Sequence, residues 1–275
     1  MKTITLCADD FAYNADVTDG ILGLIKRQRL SATSCMTNRP DWVNAAKKLL
    51  LYKDKIALGL HINLTEGTTL SGQTQLIKTN QRWIIDTFLR RANKNDIKKE
   101  LRCQLDAFVK GIGTLPDFID GHQHIHHLPI IRDALIELIN DNYPQEKPHV
   151  RIAANPFLKT LRQSLDTPKA MIIALTGAWQ LRKQLIKNNI PFNTSFAGIY
   201  NLLPNSPYAQ LFQRFLKDVD QHGLIMCHPG ELSQDSSDSI AEARASELAY
   251  FAGDGFLDCL TKVKLDLKIE IERTA

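Results

Sequence analysis

The sequence lacks most of the features that announce a functional class. It has no excess of one charge: 34 Lys and Arg stand against 30 Asp and Glu, a formal net charge of +4. That is too small and too evenly spread for a nucleic-acid stripe or a polybasic membrane patch. No apolar run approaches the ~18 residues of a membrane span, and no charged and then apolar leader opens the chain, so membrane insertion is not expected and a cytoplasmic location is. Cysteine is scarce and unpaired in pattern: Cys7, Cys35, Cys103, Cys227 and Cys259 are an odd count without C-x-x-C spacing. Reduced thiols packed as small hydrophobes fit better than disulfides. The absence of a strand-linked G-x-G-x-x-G, of G-x-x-x-x-G-K-[ST] and of G-x-S-x-G lowers the dinucleotide, P-loop and serine-hydrolase readings. A Cys227 nucleophile is disfavoured as well, because neighbours on a strand diverge and His228 would point away from it.

What remains is an ordinary globular composition, 275 residues with 44% apolar and 23% charged, at a length where α/β barrels run as one domain. A single domain over 1–275 is the expectation. Short apolar runs alternate with helical stripes. Strands are predicted at 3–8, 31–36, 56–62, 117–122, 149–153, 195–200, 223–227 and around Val263, Leu265, Leu267 and Ile269. Helices are predicted around Val17, Ile21, Leu24 and Ile25; from N-cap Asp41 through Leu50; from Asn95 or Asp96 to Gly111–Gly113; from Pro129 through Leu138; and over 168–187, 207–221 and 240–251. The polar stretch 65–82 reads as a long connection and a candidate substrate loop. Seven or eight βα repeats imply an α/β fold of barrel type, with an open doubly wound sheet as the competitor.

Histidines concentrate where such folds place their chemistry. His61 ends the third strand, His122, His124, His126 and His127 end the next, and His228 follows the strand 223–227; Asp9 and Asp10 close the first. Side chains at the C-terminal ends of parallel strands converge on the ligand site, so four segments deliver acids and imidazoles to one rim. Asp9 and Asp10 can share a site only if the strand ends there and the chain turns. The run His122-Gln123-His124-Ile125-His126, if extended, puts three imidazoles on one face, and imidazole is the commonest metal ligand. Not all of them can bind one ion, which leaves orientation of ligands or substrate contact to the others. Arg151, on a further strand, has two equal readings: it orients Asp9 or forms a surface salt bridge. His149 and His222 read as surface residues.

These pieces together resemble the YdjC-like carbohydrate deacetylases, a group that includes chitooligosaccharide deacetylases and the deacetylases associated with hopanoid biosynthesis. The resemblance is carried by A-D-D-F at 8–11, S-A-T-S-C-M-T-N at 31–38, G-L-H at 59–61, D-G-H-Q-H-I-H at 120–126, C-H-P-G at 227–230 and R-x-x-E-L at 244–248. It implies a distorted TIM-like barrel of about seven strands akin to NodB-type deacetylases. The implied activity is removal of acetyl groups from N-acetylated sugars with one divalent ion. By the same resemblance Asp10, His61 and His122 are the metal ligands, Asp9 the general base and His228 the proton donor, with His124 as substitute; His124, His126 and Arg151 remain for substrate or supporting contacts. The resemblance suggests Mg²⁺, whereas the ligand types would also suit Zn²⁺. The sequence departs from the family at Ala12, usually Gly, and at Gly121, commonly Ser. The expected partner is an N-acetylated sugar and not nucleic acid, and a homodimer is compatible with the sequence. The rival readings are a sugar- or metal-binding barrel without turnover, and the same metal site acting on a phosphoester or another amide. Trp42, Trp83, Trp179 and Tyr200 are candidates to stack on a sugar ring.

Overall fold

In the computed structural model, which describes residues 2–155, 159–161, 168–233, 237–262 and 265–267, the apolar runs become parallel strands. They are β1 (Lys2–Phe11), β2 (Ala32–Cys35), β3 (Ala57–Ile62), β4 (Phe118–Gly121), β5 (His149–Val150), β6 (Phe196–Ala197) and β7 (Gly223–Cys227). Their spatial order is β5-β4-β3-β2-β1-β7-β6, with a short β8 (Leu265–Leu267) paired to the start of β1. Each strand from β1 to β5 lies beside its sequence neighbour, and β7 returns to the free side of β1. That is the order of a barrel opened along one line, not of a doubly wound sheet, whose strand order reverses at a switch point.

The period of two sorts side chains to the two faces. Ile4, Leu6, Ala8, Leu58, Leu60, Ile119, Ile225 and Cys227 meet the helices in the main core, while Cys7, Ala32, Ala57, Phe118, Phe196, Leu224 and Met226 pack together inside the curl. Gly59 is needed there, because a Cβ on it would lie 2.2 Å from the Phe118 ring. Continuing the same alternation carries Asp9, Ser34, His61 and Asp120 to the interior at the strands' C-terminal ends.

The helices cover the outside: α1 (Ala15–Lys26), α2 (Trp42–Leu49), α3 (Asn80–Phe88), α4 (Lys94–Ile112), α5 (Ile131–Asn142), α6 (Pro168–Ile173), α7 (Trp179–Lys187), α8 (Tyr208–Asp218), α9 (Ala241–Ala252) and α10 (Asp254–Lys262). Asn14 caps α1 by accepting from the Val17 N–H at 2.9 Å. Several boundaries differ from those predicted. Asn93, not Asn95 or Asp96, caps α4, accepting from both of those backbone N–H groups. Asp41 precedes α2 without a capping hydrogen bond. Pro129 lies ahead of α5 and not in its first turn, because Ile130 intervenes with φ 66°. The helical stretch 168–187 is broken by a π-helical turn, Ala174–Ala178, in which Gly177 has φ 142°. Val263 and Ile269 lie outside the described residues.

The predicted strands 149–153 and 195–200 shrink to two residues each, for a reason visible across the gap between β5 and β6. There a single backbone bridge joins Val150 to Phe192, and asparagine side chains replace the rest of the ladder. Asn193 accepts from the Ile152 N–H (2.7 Å) and donates to the Ile152 and Ser195 carbonyls (3.0 Å each). Asn155 accepts from the Phe196 N–H (2.9 Å) and donates to its carbonyl (2.7 Å).

Candidate functional site

Asp9 and Asp10 both face the interior because β1 is irregular at its end. The pairing register with β2 shifts between Ala8 and Phe11, and Asp10 has φ 66°, a conformation costly for a residue with a Cβ and concentrated at functional sites. Regular alternation would turn Asp10 outward; the left-handed residue brings it back beside Asp9.

Asp10 is the hub. Its Oδ1 lies 2.9 Å from His122 Nδ1 and 3.3 Å from His61 Nε2, and its Oδ2 accepts from Arg244 Nη2 at 2.8 Å. Arg244, from α9, also donates through Nε to Asp238 at 2.9 Å and lies over the Tyr13 ring. Burial opposes the charge on Asp10, but His122 and Arg244 override it and hold the carboxyl well below its ordinary range. His61 is fixed from behind: its Nδ1 donates to Asp120 Oδ1 at 2.6 Å, and the Ser34 hydroxyl contacts both. That pairing selects the tautomer and turns Nε2 toward Asp10. Burial lowers the proton affinity of His61, yet Asp120, Asp10 and Asp9 more than compensate and raise its pKa to about 10.

A second buried cation organises the other acids. Arg151 donates from Nη1 and Nη2 to the two oxygens of Asp9, both at 2.6 Å, and from Nη2 to Cys7 Sγ at 3.2 Å, and it forms an ion pair with Asp120, Nη2 lying 2.5 Å from Oδ2. Cys7, Asp9 and Asp120 are close enough together to suggest a further ion site, but the guanidinium already supplies the positive charge at their centre. All five cysteines are free.

The histidine run is not extended. It forms a tight helical turn, His122–His127, with Gln123 and His124 in the left-handed region (φ 51° and 59°), so the His122 ring turns to His61, centroids 5.5 Å apart, while the rings of His124, His126 and His127 gather with centroids 4.2–6.5 Å apart. His122 and His124 line the cleft. His126 is buried behind it, hydrogen-bonded through Nε2 to the Arg151 carbonyl at 2.8 Å, and His127 accepts from the Ala153 N–H at 3.3 Å. A Cβ on Gly121 would lie 2.9 Å from His126 Nδ1, so a Ser at 121 would set its hydroxyl against that ring. His228 follows β7, and its backbone N–H donates to Glu247 Oε2 at 2.5 Å. Burial keeps its imidazole neutral, with a pKa near 4.

The cleft has a volume of about 280 Å³, with Asp9, Asp10, His61, Glu66, His122 and His228 on its polar side. Ile173, Ile199, Tyr200 and Leu202 form an apolar wall. Of the four aromatic candidates only Tyr200 is there. Trp42 stacks on Phe108, while Trp83 and Trp179 donate their indole N–H groups to the Leu64 and Asn155 carbonyls. Asp120, Ser34, Glu66, Arg244 and Glu247 carry structural or chemical weight that the sequence reading did not assign. For Ser34 and Asp120 the strand alternation was the available signal.

The site can be asked whether it fits a divalent ion. One oxygen of Asp10 and one nitrogen each of His61 and His122 lie within 4.8 Å of one another, all buried. Asp10 is held ionised, and His61, its Nδ1 engaged by Asp120, would release the Nε2 proton on binding an ion. An oxygen and two imidazoles are a donor set suited to such an ion, and the residues fit.

The model of one protein family, described as YdjC-like protein, matches residues 3–262. The chain belongs to the YdjC-like family. Relatives include the chitooligosaccharide deacetylases of Yersinia pestis (strain Pestoides F) and Yersinia pseudotuberculosis serotype O:1b (strain IP 31758), each 29% identical over 245 residues, which is 85% of this chain and 83% of theirs. Among solved structures, a putative cellobiose-phosphate cleavage protein from Enterococcus faecalis V583 superposes with a TM-score of 0.72 at 17% identity, covering 97% of this chain and 96% of its own. That likeness extends the curled barrel to a second YdjC-sized chain. A family 4 carbohydrate esterase from Streptomyces lividans, solved with acetate, gives a TM-score of 0.42 at 10% identity over 96% of this chain and 90% of its own.

Proposed function

We propose that this YdjC-like protein is a metal-dependent carbohydrate N-deacetylase. The observation that carries the reading is the convergence of Asp10, His61 and His122 beside an Arg151-clamped Asp9 in one cleft; the deacetylase names of relatives aligned over 85% of the chain support it. Asp10, His61 and His122 would hold the ion, which when bound acidifies a water and polarises the acetyl carbonyl.

The chain's own residues do the remainder. Asp9 takes the proton of the attacking water through a lone pair that the bidentate Arg151 contact leaves open. Arg151 fixes the direction of that carboxylate, so no reorientation is required as the proton moves. His228 delivers a proton to the departing sugar nitrogen. Burial keeps it neutral at rest, so it takes up a proton from solvent before passing one to the nitrogen, and the proton that Asp9 took from the water returns to solvent as acetate leaves. Tyr200 and the apolar wall exclude water from one side.

Charge argues against the phosphoester reading. Asp9, Asp10, Glu66 and Asp238 line the cleft, and its one arginine, Arg244, is already paired with two of them, so among the described residues a phosphate dianion meets mostly acids. The decisive measurement is acetate release from N-acetylglucosamine oligomers, with elemental analysis to identify the ion. Asp10→Ala and His122→Ala should each lower turnover at least about 100-fold with the far-UV spectrum unchanged; near-normal turnover by both variants removes the mechanism. Binding of N-acetylated sugar by calorimetry without acetate release would point instead to the non-catalytic reading.

A further inference from the structure

Glu66 and Asp238 are the acids of the cleft with no place in the steps above, and of the two Glu66 faces a proposed ligand. Its Oε1 lies 3.4 Å from His122 Nε2, on the ring edge opposite the nitrogen that meets Asp10. His61 has the same arrangement, one nitrogen toward Asp10 and the other on the Asp120 carboxylate. The two imidazoles are thus built alike: an inner nitrogen at the common acid, and an outer one at an acid of its own.

The chain invests heavily in holding Glu66 there. Asn63 Oδ1 accepts from the backbone N–H groups of Thr65 and Glu66, at 3.0 and 3.1 Å, and its amide donates to the Glu66 carbonyl at 2.8 Å. Asn38 donates to the Thr68 carbonyl at 3.0 Å. From α4, Gln104 pairs with both the N–H and the carbonyl of Asn63, at 3.0 and 2.8 Å, and Glu100 accepts from the N–H groups of Leu70 and Ser71, at 3.1 and 2.8 Å. Asn38, Asn63, Glu100 and Gln104 are all buried. A fully satisfied buried polar network of this size rigidifies what it holds, and what it holds is the backbone that carries one carboxylate to the cleft.

We infer that Glu66 is a positioning residue for His122: it accepts the Nε2–H, fixes the ring's tautomer and orientation, and leaves Nδ1 unprotonated toward Asp10 and the ion. The inference rests on the ligand assignment proposed above. Unlike Asp120, which is wholly buried, the Glu66 side chain is 32% exposed, so a bound substrate would cover it and strengthen the contact by excluding water.

The test is calorimetric titration of the full chain with Zn²⁺ alone, together with ¹⁵N and ring-proton NMR of the zinc-loaded protein. Glu66→Ala should weaken zinc binding about 10- to 100-fold and abolish the hydrogen-bonded His122 Nε2–H resonance. Glu66→Gln, whose amide oxygen still accepts, should retain the resonance and lose less affinity. Wild-type zinc affinity in Glu66→Ala overturns the inference. Reduced affinity with an unchanged ring proton also overturns it, since Glu66 would then act on the ion and not on the ring. If the wild-type chain binds no zinc, magnesium or manganese at all, it is the ligand assignment that fails.

Discussion

Arg151 is the residue on which two functions meet, because one guanidinium neutralises Asp9 and Asp120 and so reaches both the proposed base and the acid behind His61. Removing one partner of a buried ionic cluster strands the others. Arg151→Met should therefore destabilise the protein by about 3–5 kcal/mol in denaturant titrations and lower kcat more than it raises KM. His228 and His124 can be separated in the same assay: loss of the imidazole at 228 should cost about 100-fold or more in kcat, whereas His124→Ala should act mainly on KM. Glu247 offers a pH signature. Burial pushes its carboxyl up to about 7, against the pull of the Tyr200 hydroxyl and the His228 N–H. The folded state therefore holds a proton that the unfolded chain releases near the ordinary carboxyl value, and this group's contribution to stability falls as pH rises from about 4.5 to 7 and is level above that. Glu247→Gln, able to keep both contacts, should gain on the wild type by a few kcal/mol between pH 5 and pH 8 in paired thermal melts; equal slopes would contradict the shift. Asp9, Asp10, His61 and His122 were legible because strand ends advertise them. Glu66 was not, since a loop without a periodic signal delivers it; Glu247 stood in R-x-x-E-L on a predicted helix, but nothing in that spacing told that it would reach the His228 N–H.

At the scale of elements, the sharpest departures from sequence pattern are the left-handed residues. Alternation assigns Asp9 and Asp10 to opposite faces and three histidines to one, and positive φ at Asp10, Gln123 and His124 undoes both assignments. Asp and His tolerate such a backbone better than most residues, but that tolerance does not tell where it occurs; the surrounding packing imposes it. The family's usual glycine after A-D-D-F has a physical cause here: Ala12 has φ 71° and is fully buried. Ala12→Gly trades relief of about 1 kcal/mol of backbone strain against about 0.8 kcal/mol of lost methyl burial and should melt close to the wild type. Ala12→Val adds a β-branched side chain that this region rejects and should lower Tm by several degrees. Helix positions came through well, because the stripes of α1 and α4 bury Ile21, Leu24, Leu101, Leu105 and Phe108 as their spacing demands. Starts and stops came through less well where a cap such as Asn93 lay outside the apolar period.

For the whole molecule, sequential βα repeats sufficed to anticipate a barrel, since each unit buries its helix on the same side of a parallel sheet. The line along which it opens was not legible: His149–Ala153 and Ser195–Tyr200 read as ordinary strands, and only their tertiary pairing shows that Asn193 and Asn155 take over from the backbone. Asn193→Ala should leave the Ile152 N–H and carbonyl without the Asn193 amide, costing about 1–3 kcal/mol for each group left unsatisfied, whereas the Ser195 carbonyl keeps the Leu224 N–H; zinc affinity should stay within about twofold of the wild type. Closure by two amides also means that the two edges are tied by single side chains where a ladder would spread the load over many backbone bonds. Mild destabilisation should therefore part this stitch early, visible as selective loss of hydrogen-exchange protection at Ile152 and Phe196 before the rim of Asp10, His61 and His122 changes.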